Sequence, residues 1–186
     1  VQRFSLDAVP VTLWKNGGGV TREIVVWPPK ADIEHFEWRV SVATISASGP
    51  FSTFPGIERV IMLLQGDGMV LRGTHLHHQL SQLYVPWSFS GDLAIDCRLL
   101  GSPSTDFNVM TRIGRTSAAV RVIHDAEQLT GSKAGLIMSL EGNWSVDGEP
   151  LARYQGVWWA DEKRTPTLAQ RNEAAASLVV VTWCAD

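Results

Sequence analysis

Along this chain short apolar runs alternate with breaks at Gly, Pro, Asn and Asp, and a helical period is almost never sustained. Val20–Trp27 is rich in β-branched residues and stops at Pro28-Pro29. In Glu37–Ile45, Trp38, Val40 and Val42 fall on one face, with Arg39, Ser41 and Ala43 on the other. That alternation is the period of a half-buried strand. Arg59–Gln65 is a nearly continuous apolar run, and Gly66-Asp67-Gly68 turns the chain after it. Leu93–Leu100, Phe107–Ile113, Ala118–Ile123, Gly135–Leu140 and Leu178–Trp183 follow the same scheme. Strand-like segments at such short spacing predict an all-β sandwich or barrel. One helix is expected, over Leu168–Ala176 behind Pro166. The charged stretch Asp161–Arg164 reads as a solvated loop.

An internal similarity narrows the fold. The stretch from Leu63 through Gly66-Asp67-Gly68 to Gly73 resembles the stretch from Ser139 through Gly142-Asn143 to Gly148. Both read strand, Gly turn, short strand, Gly, with glycine supplying the positive φ that a tight β-turn needs. Such hairpins form the rim of a cupin barrel. The expected fold is therefore a cupin (RmlC-like) β-barrel, built as two cupin-like halves over residues 1–115 and 116–186 within one compact unit.

Composition removes several classes of function. The chain has 186 residues, a net charge of −3, 19% charged residues and 16 Gly. That length buries a core without disulfides. An acidic chain with mixed charges lacks the basic stripe of a nucleic-acid binder. No stretch approaches an apolar membrane span, and the N-terminal Val-Gln-Arg-Phe-Ser-Leu-Asp lacks a leader pattern, so a cytoplasmic protein is expected, away from membranes. Cys97 and Cys184 lie in apolar runs and read as small buried hydrophobes. Eight Trp are many for this length. Most suit sheet cores, while Trp14 and Trp38 each head a motif rich in polar residues and read as pocket walls.

The metal site common in cupins is not expected here. It needs His-x-His, a short spacer, Glu, and six residues before the turn glycine. Counting back from Gly66, the Glu position is Arg59 and the His positions are Ser52 and Phe54. A guanidinium cannot ligate a metal. Counting back from Gly142 reaches Gly135 and apolar neighbours. A His-x-His pair does occur at His75 and His77, but it follows the turn and has no Cys, Asp or Glu close by. The expectation is no metal and no cofactor.

Chemistry concentrates in three segments. Trp14-Lys15-Asn16-Gly17-Gly18-Gly19 is neither a Walker loop nor a dinucleotide fingerprint. Its flanks offer an indole face, an amide at Asn16, and Thr21 and Glu23 on one face of the next strand. The second segment carries Arg39 and Ser41 on a strand, then Phe51, Phe54 and Arg59. An arginine where the barrel usually holds its cation turns the pocket into an anion site, because its fork matches a carboxylate. In the third, Asp106, Asn108 and Met110 share a strand face, as a strand start or as a pocket wall.

These residues resemble the HutD/Ves family of cupin-like proteins. The resemblance is carried by Trp-x-Asn-Gly-Gly-Gly-x-Thr-Arg-Glu-Ile at 14–24, Trp-Arg-x-Ser-x-Ala at 38–43, and Gly-Pro-Phe-Ser-x-Phe-Pro-Gly-x-x-Arg at 49–59. Phe-Ser-Gly-Asp at 89–92 and Asp-Phe-Asn-Val-Met-x-Arg at 106–112 continue it in order. The resemblance implies a two-halved cupin fold without an obvious metal centre, and a link to bacterial histidine utilisation or to stress response. It implies a regulatory protein that binds a small carboxylate such as urocanate or N-formylglutamate. Arg59 is then the carboxylate anchor and Arg39 a second one. Asn16, Thr21, Ser41 and Asn108 supply hydrogen bonds, Glu23 accepts an N–H or pairs with an arginine, and Trp14, Phe51 and Phe54 form walls. The alternative is a metal-independent isomerase or hydrolase with Glu23 as general base. Sheet-edge pairing, common among cupin-like proteins, makes a homodimer an open possibility.

Overall fold

In a computed structural model of the chain, residues 1–171 and 175–185 are described. They form two compact units, one of residues 10–116 and one of residues 1–9 together with 117–186. Apart from one short 3-10 turn at Leu6–Ala8, all regular structure among the described residues is strand. No helix there is long and apolar enough to cross a membrane.

The chain opens with β1 (Gln2–Ser5), which belongs to the second unit. The unit of residues 10–116 then comprises β2 (Val11–Leu13), β3 (Gly19–Trp27), β4 (Trp38–Ile45), β5 (Gly49–Pro50), β6 (Ile57–Gln65), β7 (Met69–Gly73), β8 (Leu76–Leu80), β9 (Trp87–Ser90), β10 (Asp96–Leu99) and β11 (Ser104–Arg112). Its larger sheet runs β2-β3-β4-β11-β6-β9 and its smaller one β5-β10-β7-β8. The second unit adds β12 (Thr116–Ile123), β13 (Glu127–Gln128), β14 (Ala134–Glu141), β15 (Trp144–Val146), β16 (Glu149–Leu151), β17 (Gln155–Trp159), β18 (Thr167–Gln170) and β19 (Ser177–Ala185). Its sheets run β1-β17-β14-β19-β12 and β13-β18-β15-β16.

The strand period seen in the sequence is the packing period. In β4, Trp38, Val40 and Val42 are buried on one face, and Trp38 stacks on Trp27 with ring centroids 5.8 Å apart. In the first unit both sheets contribute to one apolar cluster. Ile45, Ile61, Leu63 and Phe89 from the larger sheet meet Met69, Leu71, Leu80 and Cys97 from the smaller. In the second unit Ile137, Leu178, Val180 and Trp159 meet Trp144, Val146, Leu151 and Leu168.

The pairing of the first unit is repeated in the second. β4-β11-β6-β9 corresponds to β12-β19-β14-β17, and β10-β7-β8 to β18-β15-β16. The register agrees as well. Arg59 lies across from Met110 and Phe89, and Gly135 across from Thr182 and Trp159. Both central pairs shift register at the same place, between Thr105 and Asp106 and between Ser139 and Glu141. The turn glycines seen in the sequence are left-handed, with φ of 93° at Gly66 and 72° at Gly142.

Two sequence expectations fail. The segment expected to be helical over Leu168–Ala176 is strand β18 through Gln170, while residues 172–174 lie outside the described residues. Leu168 is buried and pairs with Val146 of β15, and the Thr167 amide donates to Asp147 Oδ1 at 2.9 Å, so tertiary pairing outweighs local propensity over Leu168–Gln170. Cys97 is buried, but Cys184 is exposed. The last partner position on β14, Ala134, sits opposite Trp183, so Cys184 projects where the neighbouring strand has ended.

Candidate functional site

The first unit holds a cavity of about 430 Å³. Arg39, Ser41 and Ala43, on the face of β4 opposite Trp38, Val40 and Val42, line it. Asp106, Asn108 and Met110 of β11 face it from the adjacent strand, paired with Ala43, Ser41 and Arg39 in that order. Arg59 reaches it from β6, and Phe51 and Phe54 from the loop before β6.

The glycine run shapes the mouth. Gly17 takes a φ of +72°, and the Asn16 side-chain oxygen accepts the Gly18 amide at 2.9 Å. At Gly19 a Cβ would stand 2.6 Å from the Thr44 carbonyl and 3.1 Å from the Trp14 ring. Only glycine permits that approach. The Trp14 indole is thereby laid along the cavity, and its Nε1–H donates to Thr21 Oγ1 at 2.8 Å. The triple glycine is a folding device for this wall rather than a phosphate cradle.

Arg59 dominates the electrostatics. It is 5% exposed, and its guanidinium carbon lies 5.5, 5.2 and 4.9 Å from the ring centres of Phe51, Phe54 and Phe89. Aromatic faces attract a cation, but they do not neutralise it. Burial lowers its pKa to about 10, with Asp106 opposing and Arg39 assisting that shift, so Arg59 stays charged at neutral pH. Among the described residues its Nε has no hydrogen-bond partner. Asp106 is 1% exposed and forms no ion pair with it. Burial pushes the Asp106 carboxyl up to about 7, against the pull of Arg59 and of the neighbouring Asn108 amide. Among the described residues, neither Asp106 oxygen nor Asn108 Oδ1 makes a hydrogen bond of ordinary length.

Nine of the ten residues singled out in the sequence line this one cavity: Trp14, Asn16, Thr21, Arg39, Ser41, Phe51, Phe54, Arg59 and Asn108. Glu23 does not. It is exposed and accepts from Arg39 Nε at 2.6 Å, so Arg39 enters the cavity already paired. Trp38 points to the opposite face of its strand and is no pocket wall. Asp106 completes the polar wall. Its sequence signal was the alternation with Asn108 and Met110, which suits a strand start equally well. Ile33, at the mouth, lies in the long loop between β3 and β4 and had no periodic signal.

The His-x-His pair forms no centre. His75 sits in the turn between β7 and β8, and His77 is exposed on β8. Among the described residues no group of three or more His, Cys, Asp or Glu is placed to hold a metal ion.

Comparison with known proteins places this geometry. The HutD family model matches residues 6–177. Protein Ves of Citrobacter koseri is 37% identical over 184 residues, which is 98% of this chain and 95% of that protein. The structure of HutD from Pseudomonas fluorescens SBW25, in a formate condition, superposes with a TM-score of 0.88 at 27% identity, covering 100% of this chain and 98% of that one. A cupin 2 conserved barrel domain protein from Leptotrichia buccalis shares the fold at 9% identity, with a TM-score of 0.60 over 98% of this chain and 96% of that one. The fold is all-β and cupin-like.

Proposed function

The chain belongs to the HutD family of cupin-like proteins, and we propose that its cavity binds a small carboxylate as a regulatory, non-catalytic module. One observation carries this reading: a charged, buried guanidinium faces a cavity with no counter-ion in contact. Leaving a charge so is costly unless a ligand supplies its partner. A carboxylate fits the guanidinium fork with two parallel hydrogen bonds. The phenyl rings around Arg59 exclude water and strengthen that pairing. Arg39, held by Glu23, adds positive potential without competing for the anion. The mixture of apolar walls with few convergent polar groups is that of a small-molecule site.

The family's association with bacterial histidine utilisation makes urocanate and N-formylglutamate the proposed ligands. Formate, the condition named for the Pseudomonas fluorescens relative, is the smallest member of the same class. The proposed compartment is the cytoplasm, which suits two unpaired cysteines. An enzymatic reading has less support, because Glu23, its general base, is engaged by Arg39 outside the cavity lining.

Calorimetric titration of the protein with formate, acetate, urocanate and N-formylglutamate tests the reading. Binding of at least one is expected, and Arg59→Ala is expected to weaken it at least about 30-fold, roughly 2 kcal/mol. Undiminished affinity in that variant, or no binding by any of the four acids, would overturn it.

A further inference from the structure

Among the described residues, four buried polar atoms of cavity-lining side chains make no hydrogen bond of ordinary length, and three of them are acceptors. Arg59 Nε is the donor. Asp106 Oδ1, Asp106 Oδ2 and Asn108 Oδ1 are the acceptors. Buried side-chain polar atoms are ordinarily satisfied, so a cluster of orphans facing a cavity calls for an explanation outside the chain. β11 sets Asp106 and Asn108 on one face, two residues and so about 7 Å apart along the strand. Arg59 enters from β6 at the level of Met110, the next residue on that face.

A bare carboxylate on Arg59 satisfies the donor alone. It has only oxygens to offer and so satisfies none of the three acceptors. The fold does not require these acceptors. The corresponding positions of β19 are Leu178 and Val180, both buried in an apolar cluster.

We propose that Asp106, with Asn108 beside it, is a specificity-determining residue that selects acids carrying an N–H donor beyond the carboxylate, such as an amide or an azole, over acids of the same shape without one. This rests on the carboxylate-binding reading of the cavity. The charged and titratable groups acting on Asp106 are consistent with that role. Arg59 from β6 pulls toward ionisation, and Asn108 on its own strand adds to that pull. Arg39 from β4 is already held by Glu23 of β3. Cys97 from β10 has its thiol pushed up to about 12 by burial and by Asp106, so it stays neutral. A ligand N–H aimed at Asp106 adds a hydrogen bond to the pull of the Asn108 amide, the protein donor that acts on that carboxyl. A site built around such a bond rejects the analogue that lacks it, because the acceptors are then left buried and unpaired.

The test uses the intact protein and a matched pair of acids, N-acetylglycine and acetoxyacetate, which differ by an N–H in place of an ether-type oxygen. Acetate serves as the bare carboxylate. Titration at about pH 8 keeps Asp106 largely ionised. N-Acetylglycine is expected to bind at least about tenfold tighter than acetoxyacetate. In Asp106→Leu the ratio is expected to fall to within about twofold. Equal binding of the matched pair by the wild type overturns the inference and needs no variant. A preference that survives in Asp106→Leu overturns it as well. Should the leucine variant fail to fold, Asp106→Ala, which likewise has no acceptor, is used, and an undiminished preference there is the overturning result. If none of these acids binds the wild type, and formate does not either, the carboxylate reading itself falls and this inference with it.

Discussion

Arg59 and Gly135 hold the same place in two copies of one strand pattern. Each lies on the central strand that leads to a left-handed glycine turn, and each pairs on one side with an aromatic residue, Phe89 or Trp159. In the second unit Gly135 leaves room for the Trp159 indole, whose ring carbon stands 2.2 Å from where a Cβ would be. Leu178, Val180 and Ile137 join that indole in a filled core. In the first unit Arg59 takes the glycine's place, and Asp106 and Asn108 take those of Leu178 and Val180. The result is a cavity with polar walls instead of a core. One backbone thus serves packing or binding according to a few inward side chains. The apolar cluster beneath the cavity, from Ile61 and Leu63 to Met69 and Cys97, supplies stability that the polar layer does not.

This comparison can be broken at several points. Trp159→Ala should have the largest effect, because it empties the position that fills the second unit. A loss of about 3–5 kcal/mol is expected in urea unfolding. A loss below about 1 kcal/mol would show that the indole is not what closes that core. In the first unit the trade runs the other way. Arg59→Met should remove carboxylate binding, about 2 kcal/mol or more, while leaving unfolding stability unchanged or raised, since a buried unpaired charge gives way to an apolar side chain. A variant that loses both stability and binding would make Arg59 a structural residue.

Asp106 sharpens the contrast through pH. Its folded-state pKa is raised, to about 7 from an ordinary 3.8. The folded protein therefore holds a proton that the unfolded chain releases across that window. The stability linked to this group is fully present below about 3.8 and is lost as pH rises through 7. Asp106→Asn should accordingly gain about 1–2 kcal/mol over the wild type at pH 8, with the gain fading as pH falls from 7 and gone below about 4. A pH-independent difference in urea midpoints would contradict the assignment. The smallest effect is expected at the mouth. Thr21→Val removes the acceptor of the Trp14 indole and should cost about 1 kcal/mol. It should also shift the Trp14 fluorescence as the ring loosens. An unaltered spectrum and midpoint would mean that Trp14 is held by packing alone.

The period of two in Trp38–Ile45 was legible because one face is greasy and the other is not, and the structure buries them accordingly. The turn glycines were legible because positive φ leaves few alternatives. Arg59 stood out as a cation in an otherwise apolar run. The expected helix near residue 168 failed because local propensity is weaker than pairing with strands on both sides. Trp38 misled because a motif's first residue need not share the face of its polar members.

The sequence by itself determined the strands, the glycine turns and the family, because alternation and turn chemistry are local and each residue carries its own part of them. Only the tertiary structure decided that Arg59, Asp106 and Asn108 line one cavity, and that Glu23 is drawn away by Arg39. Those facts depend on how strands distant in sequence fall into register, and on what the low-dielectric interior then does to a charge.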